Sequence, residues 1–150
     1  MIDKNELEKS IFQEYIKLVD IIQSYDTHFL NMKAWGVTLA GIVLSAGVAQ
    51  DNVLVLTASF VLSLSFWVTE SWYKMIQNGH MQRAREIENA FHSSEFLAIK
   101  YPRIFGSYLE KSEQNRKEKK WLKMMFYSQV MYPHIFTSSL TVVLLIGKMF

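Results

Sequence analysis

Arg85 and His92, with Glu86 beside the arginine, are the residue types suited to acting on a phosphodiester. An arginine holds phosphate charge and a histidine moves a proton. On one helix the two stand about two turns apart and reach each other poorly, so no catalytic pair is expected. His28, His80 and His134 form no pair at metal-ligand spacing, and no zinc site is expected. The sequence holds no phosphate-binding glycine loop, no G-x-S-x-G elbow and no paired-acid motif. With no cysteine, disulfides and thiol nucleophiles are excluded. Neither an enzymatic activity nor a cofactor is expected.

Two further groups carry chemistry of another kind. Ser59, Ser63 and Glu70 lie near one stripe of a helix, with Phe66 between them. An acid at the end of an apolar helix faces protein or water. This stripe, with Thr38 and Ser45 of the preceding apolar stretch, is a candidate pore lining. The alternative for Glu70 is pairing with Lys74, four residues on. The second group is the run of Lys111, Arg116, Lys117, Lys119, Lys120 and Lys123, preceded by Lys100 and Arg103. Phosphates are held mainly by Lys and Arg, so Lys100, Arg103, Arg116, Lys117, Lys119 and Lys120 are candidate polyanion contacts. The same charges suit a juxtamembrane anchor on anionic lipid, worth about 1 kcal/mol per basic residue.

The elements that must carry these groups are set by three uncharged stretches, 34–50, 52–69 and 124–147. Each is near the ~20 residues a helix needs to cross a bilayer. Trp35, Trp72, Tyr73, Trp121 and Tyr127 stand at their borders, as aromatic belts do. The expected fold is an all-α integral membrane protein with three transmembrane helices and long cytoplasmic helical extensions, assembled as a homo-oligomeric bundle. Half the residues are hydrophobic, yet mean hydropathy is only +0.06 because two charged segments dilute the spans. The start of the sequence lacks the basic, then apolar, pattern of a cleaved leader, so the first span reads as retained.

Segment 74–123 carries eleven Lys/Arg against six acids and is expected to be cytoplasmic by the positive-inside rule. The N-terminus is then inside and the C-terminus outside. Four regions follow: a cytoplasmic amphipathic helix at 1–33, a transmembrane hairpin at 34–73, a helical gate or crown at 74–123 and a third span at 124–148. In the first region Ile11, Tyr15, Leu18, Ile22, Tyr25 and Phe29 alternate spacings of four and three, an a/d seam. The register runs on through Met32, Gly36, Leu39, Val43 and Ala46, so one helix of about 45 residues is predicted. The seam either packs on the protein's own helices or joins several subunits. Ile11, Tyr15, Leu18, Ile22, Gly36 and Ala40 are the candidate oligomer contacts. Gly36 with Ala40, and Gly41 with Ser45 and Ala49, form small-residue pairs that let membrane helices approach closely. The tight turn at 50–52 commits at least one of these faces to the hairpin.

Downstream, a helix is predicted from about Ser71 to Ile99, with Gly79 weakening its middle and Tyr101-Pro102-Arg103 as its break. A last helix is predicted from near Tyr108 through the basic run and into the third span. Pro133 removes one backbone hydrogen bond there and favours a kink.

The stretch from His28 to Gly36 and the aromatic-acid exit from Phe66 to Tyr73, running into Arg83 and Glu88, resemble the SLATT-type membrane effectors of bacterial antiphage systems. The likeness covers roughly residues 10–95. With the third span and small size, the chain looks most like the channel effectors of Hailong systems. The resemblance implies an oligomeric bacterial inner-membrane channel whose cytoplasmic crown binds a short DNA oligomer or nucleotide made by a partner nucleotidyltransferase. It implies a homo-oligomer of four or more chains and defence by membrane depolarisation. A holin-like lysis protein is one alternative. A membrane-tethered ribonuclease of HEPN type, whose R-x4–6-H motif Arg85 and His92 approximate, is the other.

Overall fold

The computed structural model describes residues 4–93, 99 and 102–148. Among them are five helices and no strand: α1 (Lys4–Ala49), α2 (Val53–Ser93), α3 (Ile104–Lys117), α4 (Lys120–Met125) and α5 (Ser128–Gly147). α1, α2 and α5 are long and apolar enough to cross a membrane. The 46 residues of α1 run unbroken, about 70 Å at 1.5 Å per residue, as the heptad register predicts.

The chain divides into two compact units. A polar unit comprises Met1–Thr27 with Met75–Lys120, and an apolar unit comprises His28–Lys74 with Trp121–Phe150. The regions 1–33 and 74–123, read separately from sequence, thus pack largely as one body, as do the hairpin and the third span.

In the polar unit α1 and α2 run antiparallel around a core of Ile11, Leu18, Ala84, Ile87, Ala90 and Ile99. Leu7, Tyr15, Ile22, Phe91 and Ile104 flank it. The heptad seam is therefore spent inside the chain. This corrects the assignment of Ile11, Leu18, Gly36 and Ala40 to oligomer contacts, because their own neighbours bury all four. Tyr15 and Ile22 are half-buried beside the same core. Gly79 does not interrupt α2, and a Cβ there would lie 3.7 Å from Lys111 Cβ, an ordinary contact. Lys111 in turn pairs with Glu86 at 2.7 Å.

In the apolar unit the hairpin turns at Asp51, whose φ of 52° is the left-handed conformation that Asp and Asn tolerate best. Asn52 caps α2, its side-chain oxygen accepting from the Leu54 and Val55 N–H groups at 2.9 and 3.4 Å. Glycines set the approach of the two helices. A Cβ on Gly47 would meet the Leu56 backbone nitrogen at 2.9 Å, and one on Gly36 would meet Phe66 Cγ at 2.8 Å.

The predicted last helix is broken into three. Lys119 takes a φ of 50°, ending the run after α3, and Tyr127 is extended between α4 and α5. The helix long and apolar enough to be the third span, predicted to start at 124, begins at Ser128. Trp67 accounts for the second break, since its indole N–H donates to the Met125 carbonyl at 2.9 Å and holds that turn open. Trp72 stacks on Trp121, centroids 6.3 Å apart. Pro133 sits inside α5 and denies an N–H to the Gln129 carbonyl four residues back. The Lys33 ammonium of α1 donates to that carbonyl.

Candidate functional site

The polar stripe of α2 faces α1 at Ser59 and α5 at Ser63 and Glu70. Ser59 donates to the Ala40 carbonyl at 2.9 Å. The Ser63 hydroxyl lies 2.7 Å from Thr137 Oγ1 and 3.2 Å from Ser138 Oγ. Glu70 Oε1 bonds His134 Nε2 at 2.8 Å, so its partner is His134 and not Lys74. Trp67 stacks over the imidazole at 6.4 Å with the rings 15° apart. Glu70, Ser59, Ser63 and His134 are all buried. Polar groups in apolar surroundings are stable only when paired, and here α1 (for Ser59) and α5 (for Ser63 and Glu70) supply the partners that spacing along α2 cannot reveal. This turns Ser59, Ser63 and Glu70 inward and corrects their assignment to a pore lining. One atom of the cluster is left over: Glu70 Oε2 is buried without a hydrogen-bond partner.

The opposite faces of the hairpin are exposed and differently composed. On α1 they carry Ala34, Thr38, Ser45 and Ala49, and a Cβ on Gly41 would meet nothing within 4 Å. On α2 they carry Thr57, Ala58, Val61, Ser65, Val68 and Thr69. The hydroxyls of Ser45, Thr57, Ser65 and Thr69 each donate to the carbonyl four residues back, at 2.8–2.9 Å. Each donor is satisfied locally, and each oxygen keeps an acceptor face turned outward. Thr38 and Ser45 of the sequence-based set thus stand on open surface. Thr57, Ser65 and Thr69, which lie off the stripe of Ser59, Ser63 and Glu70, are exposed on the other side of α2.

In the polar unit, Arg83 grips Glu14 with two bonds, Nε to Oε1 at 3.0 Å and Nη2 to Oε2 at 3.2 Å. Burial works against the charged guanidinium, but Glu14 and Glu86 outweigh it and hold Arg83 protonated. His80 is buried between Tyr25 and Tyr108, with the Tyr108 ring stacked at 5.0 Å and 7°. Desolvation pushes its imidazole below the ordinary histidine range. Arg85 and His92 are both exposed, and His92 lines an open groove with Phe12, Tyr15, Glu88 and Phe91 that Arg85 does not enter.

Three of the six basic candidates are matched by acids. Arg103 pairs with Glu110 at 2.7 Å, Lys117 with Glu113 at 2.9 Å and Lys120 with Glu118 at 3.1 Å. Lys117 holds Glu113 below the usual carboxylate range. Arg116 and Lys119 are exposed. Lys100 lies outside the described residues. Among the described residues no cluster of three or more metal-ligating side chains exists.

No protein-family model, curated protein or solved structure matches this chain.

Proposed function

We propose that this chain is the subunit of a homo-oligomeric ion channel of the bacterial inner membrane, with the N-terminus cytoplasmic and the polar helical unit as its control element. The observation that carries this reading is the outward face of the hairpin, where Thr38, Ser45, Thr57, Ser65 and Thr69 are exposed within the apolar stretches. Side chains that can receive a cation or water line channels, whereas lipid gains nothing from them. Three spans enclose too little space for a path through one chain, so the hydroxyl faces of several copies form the wall. The small residues Ala34, Gly41, Ser45 and Ala49 permit the close approach this requires. The resemblance to antiphage effectors supplies the biological role, depolarisation of the infected cell under control of a nucleotide or short oligonucleotide held by Arg103, Arg116, Lys117, Lys119, Lys120 and Lys100.

The test uses the absence of native cysteine. Purified protein in potassium-loaded vesicles is expected to collapse a potassium diffusion potential. A single cysteine at Ser65 is expected to react with a water-soluble thiol reagent and, once modified, to reduce the flux. Vesicles that hold their potential at every protein-to-lipid ratio, or a cysteine at position 65 that lipid shields from the reagent, overturn the reading.

A further inference from the structure

We propose that Glu70 and His134 together form a membrane-buried proton-binding site on the seam between α2 and α5. Both side chains are enclosed, 0% exposed for Glu70 and 1% for the whole His134 residue, so neither exchanges its charge for water. The bond between Oε1 and Nε2 is 2.8 Å long, and it uses only one of the carboxyl oxygens. Oε2 has no partner, a condition that is costly for half of a carboxylate and much less so for the hydroxyl of a carboxylic acid. A carboxylate beside a neutral imidazole would leave one net negative charge in apolar surroundings. One added proton removes that charge, either on Oε2 or as an imidazolium facing the carboxylate. The proton comes from bulk water and forms one O–H or N–H bond, with no other bond broken. Trp67, stacked on the imidazole, keeps the site dry on its own side.

The ligand chemistry is narrow. A metal cation needs several oxygen or nitrogen donors, and the site offers one orphan oxygen. A proton needs a single lone pair. Another charge bearing on Glu70 is Lys33 of α1, which feels both Glu70 and Lys74. Lys33 already donates to the Gln129 carbonyl, so its ammonium is held at another acceptor. The inference is independent of conduction, because it concerns where a proton resides in the resting protein.

Two spectroscopic measurements on the full chain in lipid nanodiscs decide it, neither involving ion flux. Infrared spectra are compared for wild type and Glu70→Gln, and 15N spectra of histidine-labelled wild type are recorded over about pH 5 to 8. The expected result is either a protonated-carboxyl C=O band that Glu70→Gln loses, or a buried imidazolium at His134. Both place the proton in the pair, and the 15N arm needs no variant should Glu70→Gln fail to fold. A carboxylate together with a neutral His134 throughout that range overturns the proposal and makes Lys33 the counter-charge.

Discussion

A buried histidine that must stay neutral makes stability depend on pH, and His80 is such a residue. Its imidazole lies between two tyrosine rings, and burial depresses its proton affinity in the folded chain. The unfolded chain therefore binds a proton first as pH falls, and the stability contributed by His80 is full above the unfolded value of about 6.5. It is lost as pH drops below that value toward the depressed folded one. Hydrogen-exchange protection factors of the polar unit, corrected for the intrinsic rate, should fall between about pH 6.5 and 5, and His80→Phe should flatten that fall while keeping the stacking. Equal acid sensitivity in the variant would assign the effect elsewhere. The sequence offered no sign of this role, since Tyr25 and Tyr108 lie 55 and 28 positions from His80. Nor did it offer the Glu14–Arg83 clasp or the Glu70–His134 bond. Buried polar pairs are set by which helices meet, and that information is not local.

Helices were far more legible than their partners. The α1 register, the tight turn and the α2 exit into a charged helix follow from periodicity and turn chemistry, and the structure has them. The last helix was not legible, because its breaks at Lys119 and Tyr127 lack a glycine or proline and depend on tertiary bonds such as Trp67 to Met125. The glycines divide by face in a way that a simple comparison tests. Gly47→Leu drives carbon against the Leu56 backbone, which cannot yield, and should unseat the hairpin. Gly41→Leu meets open space and should leave the subunit folded, gaining up to about 1 kcal/mol in helix propensity. In the proposed assembly the same Gly41→Leu should abolish oligomers seen by native mass spectrometry in mild detergent. Unchanged oligomers would remove this face from the subunit interface.

At the scale of the molecule, charge is the quantity still available for control. The net charge is only +2, and Arg103, Lys117 and Lys120 are engaged with Glu110, Glu113 and Glu118. A polyanion must displace those acids, so its binding should be modest and strongly salt-dependent. Replacing Arg116, Lys117, Lys119 and Lys120 by Ala should weaken binding of a short single-stranded DNA and flatten its dependence on salt. Fluorescence anisotropy across a salt series measures both. If the quadruple variant binds the oligonucleotide like wild type, or wild type binds none, the basic run is left to anionic lipid. The acids were visible in the sequence, but their one-to-one pairing with the bases was not.

The bond from Lys33 to the Gln129 carbonyl has a consequence for biogenesis. While α5 is being made, Pro133 leaves that carbonyl, in the first turn, without the N–H that a helix normally supplies four residues on. α1 was synthesised roughly a hundred residues earlier and already carries the waiting ammonium. The third helix can thus leave the insertion machinery incomplete and become fully satisfied only on docking beside the first. On the proposed membrane topology, a third helix inserted in the wrong orientation would lack this partner and would keep an unpaired carbonyl in its first turn.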